Sequence, residues 1–503
     1  MRDAPRIGNL LMRASVLRGA SFLLEVLTAF FLLPFMIKGL GAAEYGVWAL
    51  VGSIASQLGV LDFGLFSTVE RYMAQAIARN DRQQARRVFS TCLVLFVAIG
   101  TIACVLMLAL GIVMSLLFSP QQDRPPLHWA MVCWAISLGL TFPMNTFVGA
   151  LSANLRFEVT TFLQIAKTIL RTALAVLAIE RGWGIIGLSL GQLVVTVADG
   201  VALAVLTRRD MPWLKPTPRL FARQTAQELI AFSKYTFLIK LGDTVRYRCD
   251  NFIVAGAMGL VAVTHYSVVV RLSDYFSAII LTIFSLAGPI FAGHHAVDNI
   301  DKIRRYHLVL SRLCALATSL LAGAIIVMGP MFIHLWLGSE FSDIYMATAI
   351  VSAGLMWALI QTPSRDVLGA MYRHPFDAYT TLAEAAANIA LSIILVGPFG
   401  FVGIAIATAA TMTVSKLVIL PIYVCRCIGQ DPYVYYRTIL VAVGVVAVGH
   451  VPLALIMPHV PISWLAFFGL GGAYYAVLTP LAAFITLSAG ERAMMFKMLR
   501  KPQ

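Results

Sequence analysis

Apolar stretches of about twenty residues recur along the whole chain and are separated by short polar segments. Segments 96–118 and 316–337, for example, contain no charged residue. A helix of about twenty apolar residues is long enough to cross the hydrocarbon core of a bilayer, and helices that lack a polar face are suited to burial in lipid. The pattern therefore predicts an all-α, polytopic membrane protein.

We predict about fourteen transmembrane helices from this pattern. They lie near residues 15–38, 44–66, 89–118, 128–151, 158–180, 184–207, 233–258, 264–291, 308–337, 344–371, 377–397, 400–426, 437–457 and 461–487.

Two sequence segments recur at equivalent places in the two halves of the chain. GLGAAEYGVW (39–48) returns as GLVAVTHYSVV (259–269), and ARNDRQQARRVF (78–89) has a counterpart in AVDNIDKIRRYH (296–307). Such internal similarity predicts two pseudo-repeated six-helix bundles followed by two C-terminal helices.

The repeats and one polar, proline-containing segment suggest four regions. We predict an N-lobe with helices one to six (1–207), a cytoplasmic amphipathic linker (208–232), a C-lobe with helices seven to twelve (233–428), and helices thirteen and fourteen with a basic tail (429–503).

Composition and charge agree with a membrane protein of fixed orientation. The 503 residues are 59% hydrophobic and 12% charged, with a net charge of +14. Most of the 38 lysines and arginines lie in loops on the side of the N-terminus, whereas the opposite loops hold only Lys38, Arg124 and Arg181. Both termini are therefore predicted to be cytoplasmic, and nucleic-acid binding is not needed to explain the positive charge.

Charged side chains also occur inside the predicted spans, most densely in 234–259. At 100° per residue, Lys240, Asp243, Arg246 and Asp250 fall within about 120° of one helix face, while Arg248 points elsewhere. Each charge left in hydrocarbon costs about 2.5–3.5 kcal/mol. This face is therefore expected to meet water or charged partners.

Basic residues outnumber acidic residues inside the spans, which predicts a hydrated cavity for an anionic passenger. A diphosphate fits this chemistry, because guanidinium groups bond phosphate oxygens in pairs. An alternative is that ion pairs such as Arg271 with Asp274 only hold helices together. The candidate substrate-binding residues are Arg18, Lys167, Arg171, Lys240, Arg246, Arg248, Arg271, Arg365 and Lys416.

Acidic and amide side chains in or beside the spans are candidates for a coupling ion, either H+ or Na+. These residues are Glu25, Asp62, Asp243, Asp250, Glu384 and Asn388. A carboxylate neutralised by a neighbouring arginine would instead serve structure alone. The seven cysteines and nine histidines show no metal-ligand spacing, so we expect no metal, no other cofactor and no catalytic residue.

The segment LGAAEYGVWALVGSIASQLGVLDFGLFSTVERYMAQAIARND (40–81) resembles the N-terminal signature of Wzx-type polysaccharide flippases of the MOP superfamily. The resemblance includes Gly41, Glu44, Tyr45, Asp62 and Arg71, together with Gly46 and Gly64. The number of spans and the basic loop after the second span are also similar to this family.

The resemblance implies a MOP/MATE-like fold and an inner-membrane protein that moves undecaprenyl-diphosphate-linked oligosaccharide by alternating access. It also implies that the protein acts together with a polysaccharide polymerase and a chain-length regulator. A MurJ-like flippase of lipid II is an alternative within the superfamily. A membrane glycosyltransferase or polymerase is disfavoured, because the longest predicted outward loop, 119–127, leaves no room for a catalytic site.

Overall fold

The computed structural model describes residues 4–62, 65–79, 81–117, 127–154, 156–230, 237, 250–284, 288, 291, 294–295, 299–371, 373–488 and 491–492. These residues form helices joined by short turns, and no β-strand occurs among them. Eleven helices in this part of the chain are long and apolar enough to cross a membrane. The predicted all-α, polytopic fold class is thereby confirmed.

The chain divides into two compact units, Met1–Asn251 and Phe252–Gln503. The four predicted region boundaries stay predictions. The first unit contains α1 (Ala4–Leu40), α2 (Ala42–Leu58), α3 (Leu65–Ala78), α4 (Arg82–Leu117), α5 (Leu127–Ala153), α6 (Phe157–Glu180), α7 (Gly184–Asp210) and α8 (223–230).

Helix α9 (Asp250–Met258) begins at the end of the first unit, and the remaining helices belong to the second. A π-helical turn, Val414–Ile419, follows α14. The second unit contains α10 (Leu260–Phe284), α11 (Ile300–Leu337), α12 (Ile344–Ile360), α13 (Thr362–Ala370), α14 (His374–Thr413), α15 (Leu420–Ile428), α16 (Pro432–Ile456) and α17 (Trp464–Thr486).

A sharp break inside α14 separates two predicted spans. The apolar helical stretch Pro375–Ile428 has 54 residues, but Gly400 leaves the helical conformation with φ 58° and ψ −144°. Positive φ is costly for residues that carry a Cβ, and the nearby Pro398 lacks an N–H group for the helix. The predicted spans 377–397 and 400–426 meet at this break.

The total of fourteen spans stays a prediction. The predicted span 44–66 corresponds to α2, which has 17 residues, and the 3-10 turn that follows it. Most of the predicted span 233–258 lies outside the described residues.

Helices α3, α4 and α5 form the core of the first unit. Val69, Met73 and Phe89 are buried in it. Where α4 crosses α5, a Cβ at Gly139 would lie 3.2 Å from the carbonyl oxygen of Gly100. Small residues allow this close approach, and close packing is a main source of helix association inside membranes.

The predicted linker packs against the first unit in the part that the structure describes. Leu214 is buried in the core of that unit. The Thr217 N–H donates to Ser90 Oγ at 3.3 Å, and the Ala222 N–H donates to Thr91 Oγ1 at 3.2 Å. These bonds fasten the linker to the start of α4.

The C-terminal membrane helices pack on α11, and a buried polar network ties α16 to it. His307 lies 3.0 Å from Gln430 Oε1 and 2.9 Å from Ser364 Oγ. The hydroxyls of Tyr435 and Ser364 both donate to Gln361 Oε1, at 2.8 and 2.9 Å. Because Gln361 forms the turn between α12 and α13, α16 is bonded directly to that turn.

Candidate functional site

A buried polar face runs along the first half of α14. Its members are spaced by three or four residues, which places them on one side of a helix. All of them are buried: Asp377, Thr381, Glu384, Asn388 and Ser392. Glu384 and Asn388, predicted as neighbours in a coupling-ion site, belong to this face.

Ion pairs connect this face to α13 and to the π-helical turn. Arg365 Nε donates to Asp377 Oδ2 at 2.9 Å. Lys416 Nζ lies 3.6 Å from Asp377 Oδ1 and 3.5 Å from Glu384 Oε2. Both separations exceed the roughly 2.7–2.9 Å of a charge-assisted hydrogen bond. We call Arg365, Asp377, Lys416 and Glu384 the α14 charge cluster.

Lys416 lies on the π-helical turn Val414–Ile419. Pro421 has no N–H to donate to the carbonyl of Leu417, and that carbonyl instead accepts the hydroxyl of Tyr436 at 2.6 Å. A π turn holds an extra residue relative to an α turn and often marks a functional site. Ser415 and Lys416 are buried on this turn.

Exposure falls from one end of the α14 charge cluster to the other. The exposed fraction of the side chain is 34% for Arg365, 11% for Asp377, 2% for Lys416 and 0% for Glu384. Buried charges are tolerated when opposite charges compensate them, and the four formal charges cancel. Lys416 was predicted to contact substrate; it is enclosed among carboxylates here, and a contact with substrate stays a prediction.

Two residues close to Glu384 on the same face of α14 have polar atoms whose hydrogen bonding is incomplete within the described residues. Asn388 Nδ2 donates to Thr408 Oγ1 at 2.9 Å. The other amide atom, Asn388 Oδ1, and the Thr381 hydroxyl have no hydrogen-bond partner among the described residues. Within the same residues, no group of three His, Cys, Asp or Glu side chains is placed to hold a metal ion.

The first unit places two candidate substrate-binding residues on α6. Lys167 Nζ lies 3.3 Å from Asp199 Oδ2 on α7, and both side chains are partly exposed. Arg171, one turn further along α6, is exposed. Arg18 lies on α1, and its side chain is outside the described part of the chain.

The remaining candidates are spread over several elements. Glu25 is exposed on α1, and Asp62 is buried in the 3-10 turn after α2. Arg271 is exposed on α10. The structure therefore brings together Arg365, Lys416, Glu384 and Asn388 in the second unit.

The most densely charged predicted span is mostly outside the described residues. Asp250, the first residue of α9, is buried, and the neighbouring Asn251 donates to Ser53 Oγ at 2.6 Å. Four candidates of this span lie outside the described residues: Lys240, Asp243, Arg246 and Arg248.

Two acidic residues near the candidates were not predicted as site residues. Asp377 precedes Glu384 by seven residues. This spacing places both residues on one face of a helix, and it could have identified Asp377 as a neighbour of the candidate site. Asp199 pairs with Lys167 across two helices, and spacing along one helix gives no signal for such a contact.

The fold is one found in known membrane transporters. The structure is similar to an inward-facing multidrug resistance MATE family transporter of the MOP superfamily, with a TM-score of 0.69 and 16% sequence identity. The similarity covers 80% of this chain and 94% of that transporter. The chain therefore has the fold of a MOP-superfamily transporter.

The sequence defines the family within this class. The sequence model of the family described as polysaccharide biosynthesis protein matches residues 36–346, which is more than half of the chain. The chain belongs to this family, and the resemblance to the Wzx-type branch of the MOP superfamily is confirmed.

Two relatives extend over most of the chain. The uncharacterized membrane protein EpsK of Bacillus subtilis is 24% identical over 84% of this chain and 84% of its own length. The putative O-antigen transporter of Shigella flexneri is 22% identical over 78% of this chain and 93% of its own length.

Proposed function

We propose that the protein is a flippase, not an enzyme, that moves an undecaprenyl-diphosphate-linked oligosaccharide across the bacterial inner membrane for surface polysaccharide synthesis. Membership of the polysaccharide biosynthesis protein family and the similarity to a putative O-antigen transporter support this role. In this proposal both termini lie in the cytoplasm, and the lipid moves from the cytoplasmic to the outer leaflet.

The observation that carries the proposal is the presence of exposed basic side chains inside membrane helices of both units. Arg171 lies on α6 of the first unit, and Arg271 lies on α10 of the second. A lipid-facing charge is costly, whereas a guanidinium next to a diphosphate forms paired, charge-assisted hydrogen bonds. Exposed basic groups of this kind suit a phosphate-bearing headgroup.

Alternating access is the proposed mechanism. In this proposal the two compact units, Met1–Asn251 and Phe252–Gln503, move during transport, so that access opens to one side of the membrane and then to the other. Each opening would expose the same basic side chains to the opposite leaflet. In the cell, a polysaccharide polymerase and a chain-length regulator would act on the delivered lipid-linked unit.

Deletion of the gene followed by mass spectrometry of the lipid fraction tests the proposal. We expect undecaprenyl-diphosphate oligosaccharide to accumulate and surface polysaccharide to disappear, and a plasmid copy to restore both. Accumulation of lipid II would favour a MurJ-like role instead. Normal lipid-linked intermediates together with normal surface polysaccharide would contradict a flippase role.

A further inference from the structure

Helix α6 is exposed on two opposite sides that differ in chemistry. One side carries exposed apolar residues, among them Phe162, Ile169 and Leu177. Gln164 and Arg171 are also exposed, and at 100° per residue they lie on the opposite side. The apolar side is suited to lipid, whereas amide and charged side chains are costly there. The polar side is therefore expected to meet water or a polar ligand.

Helix α7 shows the same division and joins its polar side to that of α6. Its exposed apolar residues include Leu190 and Val201, whereas Gln192 and Asp199 lie on the opposite side. Lys167 Nζ of α6 lies 3.3 Å from Asp199 Oδ2 of α7, which brings the two polar sides together. We call their combined surface the α6–α7 polar strip, with the members Gln164, Lys167, Arg171, Gln192, Thr196 and Asp199.

The ion pair of the strip fixes the relative depth of its two glutamines. Gln164 precedes Lys167 by three residues on α6. Gln192 precedes Asp199 by seven residues on α7, which runs back after a short turn. The two amides therefore lie on either side of the ion pair, about 15 Å apart along the helices. In the predicted orientation, Gln164 lies towards the cytoplasm and Gln192 towards the outer surface.

The chemistry of the strip suits sugar hydroxyls over most of its length. A glutamine amide carries both donors and an acceptor, which matches a hydroxyl group that also donates and accepts. Phosphate oxygens only accept hydrogen bonds, and the Asp199 carboxylate repels them. Lys167 and Asp199 cancel in formal charge. Arg171 is the member of the strip whose guanidinium is suited to a phosphate.

We propose that the α6–α7 polar strip binds the sugar units of the transported lipid, with Gln164 and Gln192 bonding sugar hydroxyls and Arg171 contacting a phosphate. The inference rests on the proposed function, because the sugars in question are those of its substrate. It makes the two glutamines residues that recognise the glycan, distinct in task from the basic residues that hold the headgroup.

The depth of the two amides suits access from both sides of the membrane. Arg171 follows Lys167 by one turn, so its depth is between that of Gln164 and that of Gln192. With the diphosphate at Arg171, sugars that point towards the cytoplasm pass Gln164, and sugars that point outwards pass Gln192. Each amide therefore contacts the glycan in one of the two access states.

Gln164 is the better position for a test. Its side chain is exposed, whereas Gln192 is partly buried and donates to Thr196 Oγ1 at 3.4 Å within α7. A change at Gln192 would therefore disturb helix packing as well as a ligand contact. Gln164→Met keeps the length of the side chain and removes the amide.

The experiment measures the affinity of two lipids for the purified full-length protein in detergent by microscale thermophoresis. One probe is the undecaprenyl-diphosphate oligosaccharide that accumulates in cells without the gene, and the other is undecaprenyl diphosphate without sugar. Gln164→Met should weaken binding of the first lipid about fivefold relative to wild type, the effect of about one net hydrogen bond. Its affinity for undecaprenyl diphosphate should stay at the wild-type value.

Two further variants show whether the effect is specific to sugar. Arg171→Gln should weaken the binding of both lipids by similar factors, because both carry the diphosphate. Gln83→Met, at an exposed position at the start of α4, is the matched control and should bind both lipids as wild type does. Gln164→Ala removes the same amide and replaces Gln164→Met if that variant does not reach the membrane.

The outcomes separate this inference from the proposed function. Wild-type protein that binds neither lipid, or a deletion strain without such a lipid, would overturn both. If wild type binds the lipids and Gln164→Met binds the oligosaccharide lipid equally well, the inference fails and the flippase proposal stands. The same holds if Gln164→Met weakens both lipids equally. Loss of both Gln164 variants from the membrane would show that the amide serves folding, which would also overturn the inference.

Discussion

Arg271 and Arg365 are basic residues of the second unit that lie inside membrane helices, and they differ in how they are held. Asp377 accepts a hydrogen bond from Arg365 Nε and orients that guanidinium. Arg271 is exposed on α10. At the residue scale, Arg365 is therefore held in place by a carboxylate, whereas Arg271 is expected to contribute mainly through its own contact with the headgroup.

Arg271→Gln should lower surface polysaccharide export about tenfold while protein abundance stays normal. The reason is the loss of charge-assisted hydrogen bonds, which contribute about 1.5–3 kcal/mol each. Export would be measured by quantitative immunoblot of surface polysaccharide, with Arg271→Lys expected to retain more activity. Arg305→Gln, at an exposed position near the start of α11, is the control. Loss of the Arg271→Gln protein from the membrane would instead indicate a structural ion pair.

Gly400→Ala should destabilise the second unit by about 1 kcal/mol or more, because φ is 58° there. An added Cβ would also lie 3.1 Å from the Met258 methyl group. Thermal unfolding of the detergent-solubilised protein would measure the effect. The control is Gly444→Ala on α16, where an added Cβ meets nothing within 4 Å and helix propensity favours alanine. Equal melting temperatures for the two variants would contradict a conformational need for glycine at 400.

At the scale of elements, α16 is fastened to the second unit through polar side chains as well as apolar packing. Tyr435 donates to Gln361 at the turn between α12 and α13, and Tyr436 donates to the Leu417 carbonyl in the π-helical turn. Both bonds reach elements that border the α14 charge cluster. The penultimate membrane helix therefore supports the geometry around that cluster.

Tyr435→Phe should lower the free energy of unfolding by about 1 kcal/mol, the usual contribution of one hydrogen bond. Gln361 would keep its bond to Ser364, which limits the loss. Comparison with Tyr433→Phe, at a position that is 70% exposed, isolates the effect of the buried hydroxyl. A melting temperature as high as that of the Tyr433→Phe control would show that this bond does not stabilise α16.

Hydropathy predicted the all-α, polytopic fold, because the length and apolar composition of a helix depend only on its own residues. It placed the boundary between 377–397 and 400–426 at Gly400, where glycine and proline both oppose a continuous helix. The i+4 spacing also placed Glu384 and Asn388 on one face. Such local signals depend only on residues close in sequence.

The enclosure of Lys416 could not be predicted in the same way. It depends on a π-helical turn and on Asp377 and Glu384, which precede it by more than thirty residues. An isolated lysine in an apolar span looks the same in sequence whether it faces substrate or carboxylates. The bond from Tyr435 to Gln361 likewise joins residues that are 74 positions apart.

At the scale of the whole molecule, the basic loops predict that both termini are cytoplasmic. Reporter fusions after Lys302 and after Glu340, at the two ends of α11, test this orientation. We expect alkaline phosphatase to be active only after Glu340 and green fluorescent protein to fluoresce only after Lys302. The reverse pattern would show that the protein has the opposite orientation in the membrane, with Arg365 near the outer surface.

In the proposed function, the chain moves a diphosphate-linked oligosaccharide between leaflets. The most direct measurement reconstitutes purified protein in vesicles with radiolabelled undecaprenyl-diphosphate oligosaccharide and follows the fraction of lipid that an impermeant glycosidase reaches. Wild-type protein should bring the lipid from the inner leaflet to the enzyme much faster than empty vesicles do, and Arg271→Gln should slow this transfer. Transfer at the same rate with and without the protein would contradict the flippase function.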